Sequence, residues 1–206
     1  LWAGAENAFS AVSTHVIAHG ATLELDGFDQ TVGGLSGAGN VLLGDALLTL
    51  GGNGASTSFG GVISGKGGLT KTGAGRLTLT GHNIHTGVTR VLGGMLSVEG
   101  TLSSALEVSS GGRIGGNGTL GMVTIANGGI LAPGNSIGTL NMAALTLASG
   151  SLYDVELTSG GNVAGMHNDL IDVAPGIATI ETGAAIHVLP ENGLDNGLIY
   201  SPNTVY

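Results

Sequence analysis

The chain has 206 residues, 42% apolar and 9% charged, with 41 glycines, 4 prolines and no cysteine. This excludes a disordered chain, which needs low hydrophobicity with high charge, and collagen, which needs a Gly-X-Y period. The 14 acids outweigh 5 dispersed bases (Lys66, Lys71, Arg76, Arg90 and Arg113) for a net charge of -9, so the cation cluster that neutralises nucleic-acid phosphate is missing and an anionic membrane is disfavoured. Absent cysteine fits both an ordinary intracellular protein and a chain exported unfolded. No apolar run is long enough for a membrane helix. Leu1 to Ser10 has no basic region followed by an apolar core, as a signal peptide would, and with no initial Met the chain reads as an excised fragment.

No segment keeps apolar residues at helical spacing across three turns. Short alternating runs take their place in chain order: Ala21 to Leu25, Arg76 to Thr80, Met122 to Ile125 and Leu145 to Leu147. Each predicts a short strand with one buried face, followed by Gly, Ser or Asn at a turn. A unit then recurs: an apolar strand, a Gly-Gly or Ser-Gly corner and another apolar pair. It runs through Val91 to Leu96, Val108 to Ile114, Ile125 to Leu131 and, more loosely, Leu147 to Leu152. Its corners at Gly94, Gly112, Gly129 and Gly150 fall 18, 17 and 21 residues apart. A propeller blade needs roughly 40 residues, whereas a β-solenoid coil takes about half that. With about 4.8 Å per coil, some 8 to 10 coils predict a rod of roughly 40 to 50 Å. A sandwich or barrel would favour hairpins and more aromatics than the 3% present.

Gly68 to Gly81, GLTKTGAGRLTLTG, resembles the passenger-associated repeat of autotransporters, usually GLTKTGAGTLTLSG. His82 to Val91 is similar to the family's continuation, ANTYTGGTTV. Leu131 to Leu140, LAPGNSIGTL, resembles a segment near the end of such passengers. Val188 to Gly193 and Tyr200 to Tyr206 resemble the stretch before the C-terminal folding segment. The resemblance covers Leu35 to Tyr206, with departures at Arg76, where a small residue is usual, and at His82 and His85, where Ala and Tyr are usual. It implies an all-β, right-handed parallel β-helix, exported through the periplasm to the cell surface and carried by a C-terminal outer-membrane β-barrel. It further implies adhesion, aggregation or virulence roles, and a C-terminal portion that folds early and seeds coil addition. Two regions are expected: coils over 1–150, and C-terminal coils over 151–206 leading toward the barrel.

Four patterns are weighed as sites. Gly134-Asn135-Ser136-Ile137-Gly138 fits the G-x-S-x-G nucleophile elbow, but a strand-like segment follows where that elbow needs a helix; a turn is expected. His82 and His85 could supply half of a zinc site, with a solvent-exposed loop the preferred reading. Gly51 to Gly54 and Gly115 to Gly118 begin like a calcium nonapeptide but carry Ser56 and Leu120 at the Asp position. Asp154, Glu156, Asp169 and Asp172 form the densest acidic region, with Asp154 and Glu156 on one side of a strand. β-Helical glycan enzymes build sites on such a face, yet no Lys or Arg follows Arg113, and a solvated strand face is preferred.

No catalytic, cofactor-binding or metal residue is therefore assigned, and no cofactor. The expected function is a non-enzymatic, surface-exposed passenger segment, a stalk with an adhesive or self-associating role toward a host surface or matrix component, from which loops such as Thr80 to Arg90 project. The alternatives are a glycan-active β-helical enzyme and a stalk for an upstream catalytic domain.

Overall fold

A computed structural model describes residues 1–158 and 163–190. The described strands follow one another coil by coil. The first coil is β1 (Thr14–Ile17), β2 (Thr22–Glu24) and β3 (Gln30–Val32); the second is β4 (Gly34–Gly37), β5 (Asn40–Leu42) and β6 (Leu48–Leu50). The third is β7 (Thr57–Phe59), β8 (Ile63–Ser64) and β9 (Leu69–Lys71), and the fourth β10 (Arg76–Leu79), β11 (His82–Asn83) and β12 (Thr89–Val91). The fifth is β13 (Gly94–Val98), β14 (Thr101–Leu102) and β15 (Leu106–Val108). In the sixth, β16 (Gly112–Gly116) is followed by the long β17 (Thr119–Ile125), and in the seventh β18 (Ile130–Pro133) by β19 (Thr139–Leu147). β20 (Leu152–Leu157), β21 (Leu170–Asp172), β22 (Ala178–Ile180) and β23 (Ala185–Pro190) complete the set.

Every strand pair in the ladders is parallel, and each strand pairs with its equivalent one coil away. The first face stacks nine strands in the order β1-β4-β7-β10-β13-β16-β18-β20-β23. The expected β-solenoid is therefore what the chain forms, and Gly94 lies beside Gly112 in register, as the corner repeat requires. Successive register partners on this face are 17 to 22 residues apart for seven steps (for example Thr14↔Gly34, Arg113↔Ile130 and Ile130↔Leu152). The eighth step, Leu152↔Ala185, takes 33 because a longer connection intervenes. Eight steps give a stack of about 38 Å.

The interior is filled by rows of like residues. Leu77, Leu96, Ile114 and Leu131 stack in consecutive coils of the first face and are at most 1% exposed. On the third face Leu48 and Leu69, and Leu106 and Val123, stack likewise and are at most 2% exposed. Each such side chain contributes roughly 1.5–3 kcal/mol by leaving water. Between these inward pairs, one residue per coil points outward on the third face. Thr31, Thr49 and Thr70 come first, aligned with one another, with Thr70 buried at 7% exposure. Arg90 and Glu107 follow and form a 3.0 Å ion pair. Thr124, Thr146 and Thr179 complete the row.

At the corners two glycines share the work. Gly111 has φ +86°, which favours residues without a Cβ. The next residue, Gly112, lets the backbone of the previous coil approach: a Cβ there would lie 2.4 Å from the Val91 carbonyl oxygen.

Candidate functional site

The densest polar chemistry lies outside the first face, where β13, β16, β18 and β20 present Met95, Arg113, Ala132 and Asp154. A small cavity of about 120 Å³ opens there, bounded also by Arg76, the Pro133–Ser136 loop, Glu156 and Asp169. Asp154 is 6% exposed. Its Oδ2 accepts a 2.6 Å hydrogen bond from Arg113 Nη1, and its Oδ1 lies 3.2 Å from His187 Nδ1. The solvated acidic face expected from the sequence is corrected here: Asp154 and Asp169 are buried, and Asp154 is ion-paired with a base two coils earlier. Coil stacking brings Arg113 to a strand that follows it by 41 residues.

Asp169 accepts backbone N–H bonds from Gly138 at 3.0 Å and Glu156 at 2.8 Å. Burial pushes its carboxyl up to about 6, with the Glu156 charge adding to the rise, against the two N–H bonds and Arg113, which pull it down. Burial, and then the Asp169 charge, push the Tyr153 phenol above its ordinary range.

The Gly134–Gly138 segment is a clasp across the coils. It lies between β18 and β19, so a strand and not a helix follows it, and the nucleophile-elbow geometry is missing. Gly134 has φ +76° and bridges Gly116 in antiparallel fashion. Asn135 Oδ1 accepts from Arg76 Nη1 at 2.9 Å, and Asn135 Nδ2 donates to Glu99 Oε1 at 2.8 Å. Burial opposes the charge on Glu99, but hydrogen bonds from Ser97, Asn135 and Asn117 hold its carboxyl below the ordinary range. A Cβ on Gly138 would lie 1.9 Å from Asn117 Oδ1, the atom that accepts the Thr139 N–H.

The histidines separate. His82 is exposed, whereas His85 is fully buried, with Nε2 2.8 Å from Thr89 Oγ1 and that hydroxyl 2.8 Å from Ser104 Oγ. The expected exposed loop therefore holds at His82 and is corrected at His85. Thr80 to Arg90 follows the course of the coil: Asn83, His85 and Thr89 turn inward as buried polar residues, while Thr80, His82, Ile84, Thr86 and Arg90 stay exposed. Burial lowers the His85 imidazole to about 4, although the nearby Ile63 backbone acts in the other direction. Asn83 accepts the Ile63 N–H at 3.1 Å and donates to Thr101 O at 3.3 Å, linking three successive coils. No group of three or more His, Cys, Asp or Glu able to hold a metal occurs among the described residues. At the two calcium-like stretches, Asn53 Oδ1 accepts the Ala55 N–H within its own turn, whereas Asn117 Oδ1 accepts that of Thr139 in the next coil, so both amides are engaged by backbone.

One buried base was not legible as such. Lys71, 1% exposed, donates to the carbonyls of Thr72, Gly73 and Gly93 at 2.6, 3.0 and 3.1 Å. Burial holds its ammonium below the ordinary lysine range. Three carbonyls that turn inward at a corner are satisfied by one side chain.

Residues 69–98 match the model of the passenger-associated-transport-repeat family. This chain carries an autotransporter passenger repeat. The repeat runs from β9 to β13 and contains Lys71, Asn83, His85 and Thr89, so buried polar fastening is concentrated within it. The chain is 44% identical over 100 residues to an extracellular serine protease of Serratia marcescens, covering 48% of this chain and 10% of that protein. It is also 44% identical over 85 residues to the adhesin BmaC autotransporter of Brucella suis biovar 1 (strain 1330), covering 39% of this chain and 2% of the adhesin. A second extracellular serine protease of Serratia marcescens is 38% identical over 101 residues. The chain spans a tenth or less of the length of these relatives.

Proposed function

We propose that this chain is a stalk segment of a surface-exposed autotransporter passenger, with an adhesive or self-associating role and no catalysis of its own. The observation that carries this reading is the unbroken parallel register of nine strands on the first face, spanning the repeat. Such a stack holds a fixed length and presents flat faces, which suits holding contacts away from a membrane. The groove beside Arg113 fits the same reading: Asp154 is committed to Arg113, and Asp169 to two backbone N–H groups. Glycoside hydrolysis needs two carboxyls, one as acid and one as base or nucleophile.

The location proposed is the bacterial cell surface, reached through the periplasm, with a C-terminal outer-membrane β-barrel as the chain's intramolecular partner. Residues 1–150 supply coils, and 151–206 lead toward the barrel. Within the latter, Glu191 to Gly193 and Tyr200 to Tyr206 lie outside the described residues. The partner is a host surface or matrix component, or another passenger. The experiment is to display the chain on bacteria through a heterologous outer-membrane barrel and measure settling and attachment to matrix-coated surfaces. Faster settling or attachment is expected. No gain in either, with sugars released from added glycans by the chain, would replace this reading with the glycan-active one.

A second reading follows from the two relatives named serine proteases, which match over about a tenth of their length. In it the same stalk carries an upstream catalytic domain. Proteolysis by the complete parent protein but not by this chain is its expected signature.

A further inference from the structure

The cavity beside Arg113 is charged toward both ends and apolar along one wall. Arg76 of β10 and Arg113 of β16 line it with Met95 of β13 between them, Ala132 and Pro133 of β18 continue the apolar wall, and Glu156 lies at the β20 end. Most of the charge there is already matched. Arg113 and Asp154 pair at 2.6 Å, and Asp169 accepts two backbone N–H bonds. Two opposite charges are left over. Arg76 donates to the neutral side chain of Asn135 and forms no ion pair among the described residues. The Glu156 carboxylate has neither a hydrogen bond nor an ion pair among the described residues, and its charge repels that of Asp169. A partly enclosed charge without a counter-charge is costly, and a ligand of the opposite sign relieves that cost.

We propose that this cavity binds a small linear ω-amino acid, whose carboxylate meets Arg76 and whose ammonium meets Glu156, independently of the stalk role. A lone anion would satisfy Arg76 but leave Glu156 facing Asp169. A lone cation would do the reverse. A zwitterion answers both ends without adding net charge to a chain that already carries -9. The guanidinium suits the carboxylate because it can offer two parallel N–H groups to it, and Arg76 uses Nη1 alone on Asn135.

The strand order sets the length of the ligand. β10 and β20 are four steps apart on the first face, about 19 Å between backbones. Side chains stand roughly perpendicular to a sheet, so only part of their length closes that gap. An α-amino acid, with a single carbon between its charged groups, is too short. A chain of about five methylenes with a hydrogen bond of about 2.8 Å at each end spans roughly 13 Å. The cavity volume of about 120 Å³ admits a thin chain, and Met95, Ala132 and Pro133 offer apolar contact to its methylenes. None of the described residues lining it is aromatic, so a flat ring finds no platform to stack on. The same end groups, at the same separation, occur on the C-terminal lysine of a peptide, where the α-carboxylate and the ε-ammonium flank the side-chain stem.

Titration of the chain with 6-aminohexanoate, followed residue by residue in amide nuclear magnetic resonance spectra, tests this. Saturable shifts are expected at the residues lining the cavity, with a Kd of about 1 mM or tighter. Hexanoate and hexylamine, which each lack one of the charges, should bind at least tenfold more weakly. Arg76→Gln and Glu156→Gln should each weaken binding of 6-aminohexanoate at least tenfold while keeping the far-ultraviolet circular dichroism of the parent. A peptide that ends in lysine and competes, but fails once its C-terminus is amidated, identifies the ligand as a protein end. Competition by the free zwitterion alone identifies it as a free ω-amino acid. No saturable shift at about 50 mM ligand would overturn the proposal. So would hexanoate or hexylamine binding as tightly as the zwitterion, shifts confined to residues away from the cavity, or folded variants that bind like the parent.

Discussion

Arg113 and Asp154 stand 41 residues apart and meet at 2.6 Å, joining β16 to β20 across the intervening β18 on the outside of the first face. Asp154 is almost wholly buried, and its other oxygen faces His187. Removing the guanidinium therefore leaves a carboxylate out of water with one half-exposed neighbour. Arg113→Ala should cost about 2 kcal/mol, below the roughly 3–5 kcal/mol of a fully buried broken pair because Arg113 itself is partly exposed. Replacing Asp154 by Ala as well should recover part of that loss. Urea unfolding of the two single variants and the double variant measures the coupling.

The corner glycines should respond by mechanism. Gly111 needs a positive φ but has open space, with its nearest foreign atom at 3.6 Å, whereas Gly112 is met by the Val91 carbonyl oxygen at 2.4 Å. Gly111→Ala should cost about 1–2 kcal/mol from backbone strain. Gly112→Val should cost more, because the coil must move apart from its neighbour, and should lower the melting transition by several degrees or more. Equal melting temperatures for Gly112→Val and the parent would contradict the coil stacking.

Acid should weaken the chain through His85. Its imidazole titrates near 4 in the folded protein, against an ordinary value of 6.5. The unfolded chain therefore binds the extra proton between those values, and stability is lost as pH falls from about 6.5 to 4, by up to about 3 kcal/mol. Asp169 acts with the opposite sign: its folded value near 6 lies above the ordinary 3.8, so its contribution is lost as pH rises through that interval. Asp169 is common to the parent and to His85→Asn, which isolates the histidine. The variant should show a smaller stability difference between pH 7 and 4.5. The same difference in both proteins would remove His85 from the explanation.

The Asn135 clasp predicts a local effect. Asn135→Ala breaks the links to Arg76 and Glu99 on an exposed surface and should cost about 1 kcal/mol. Gly138→Ala sets a Cβ 1.9 Å from Asn117 Oδ1 and should displace that acceptor from the Thr139 N–H. Amide hydrogen exchange should then speed up at Thr139 and its neighbours while β1 to β6 keep their protection. Uniform acceleration throughout the chain would show that the clasp is not local.

The coil period was readable because glycine corners recur at nearly constant spacing, and each corner's backbone constraints admit few other residues. The inward rows followed from alternation. The groove was not readable. Arg113 and Asp154 share no local pattern, and their meeting depends on summing the lengths of two intervening coils. His85 was misplaced for a related reason. In a Gly-flanked stretch a polar residue reads as exposed, whereas here the corner turns its hydrogen-bonding groups inward, where Thr89 and Ser104 receive the imidazole. Lys71 reads only as one of five dispersed bases because nothing local reveals the three carbonyls around its ammonium. The order of threonines and charges on the third face was present in the sequence, but only the strand register joins it into one row.

The most direct test of a surface-exposed passenger is to read the parent coding sequence on the far side of Tyr206. About a dozen alternating strands of roughly ten residues each, with aromatic girdles, are expected there as the outer-membrane barrel. A coding sequence that ends without such a barrel would contradict autotransporter export and leave a secreted solenoid, enzyme or binding protein, as the better description.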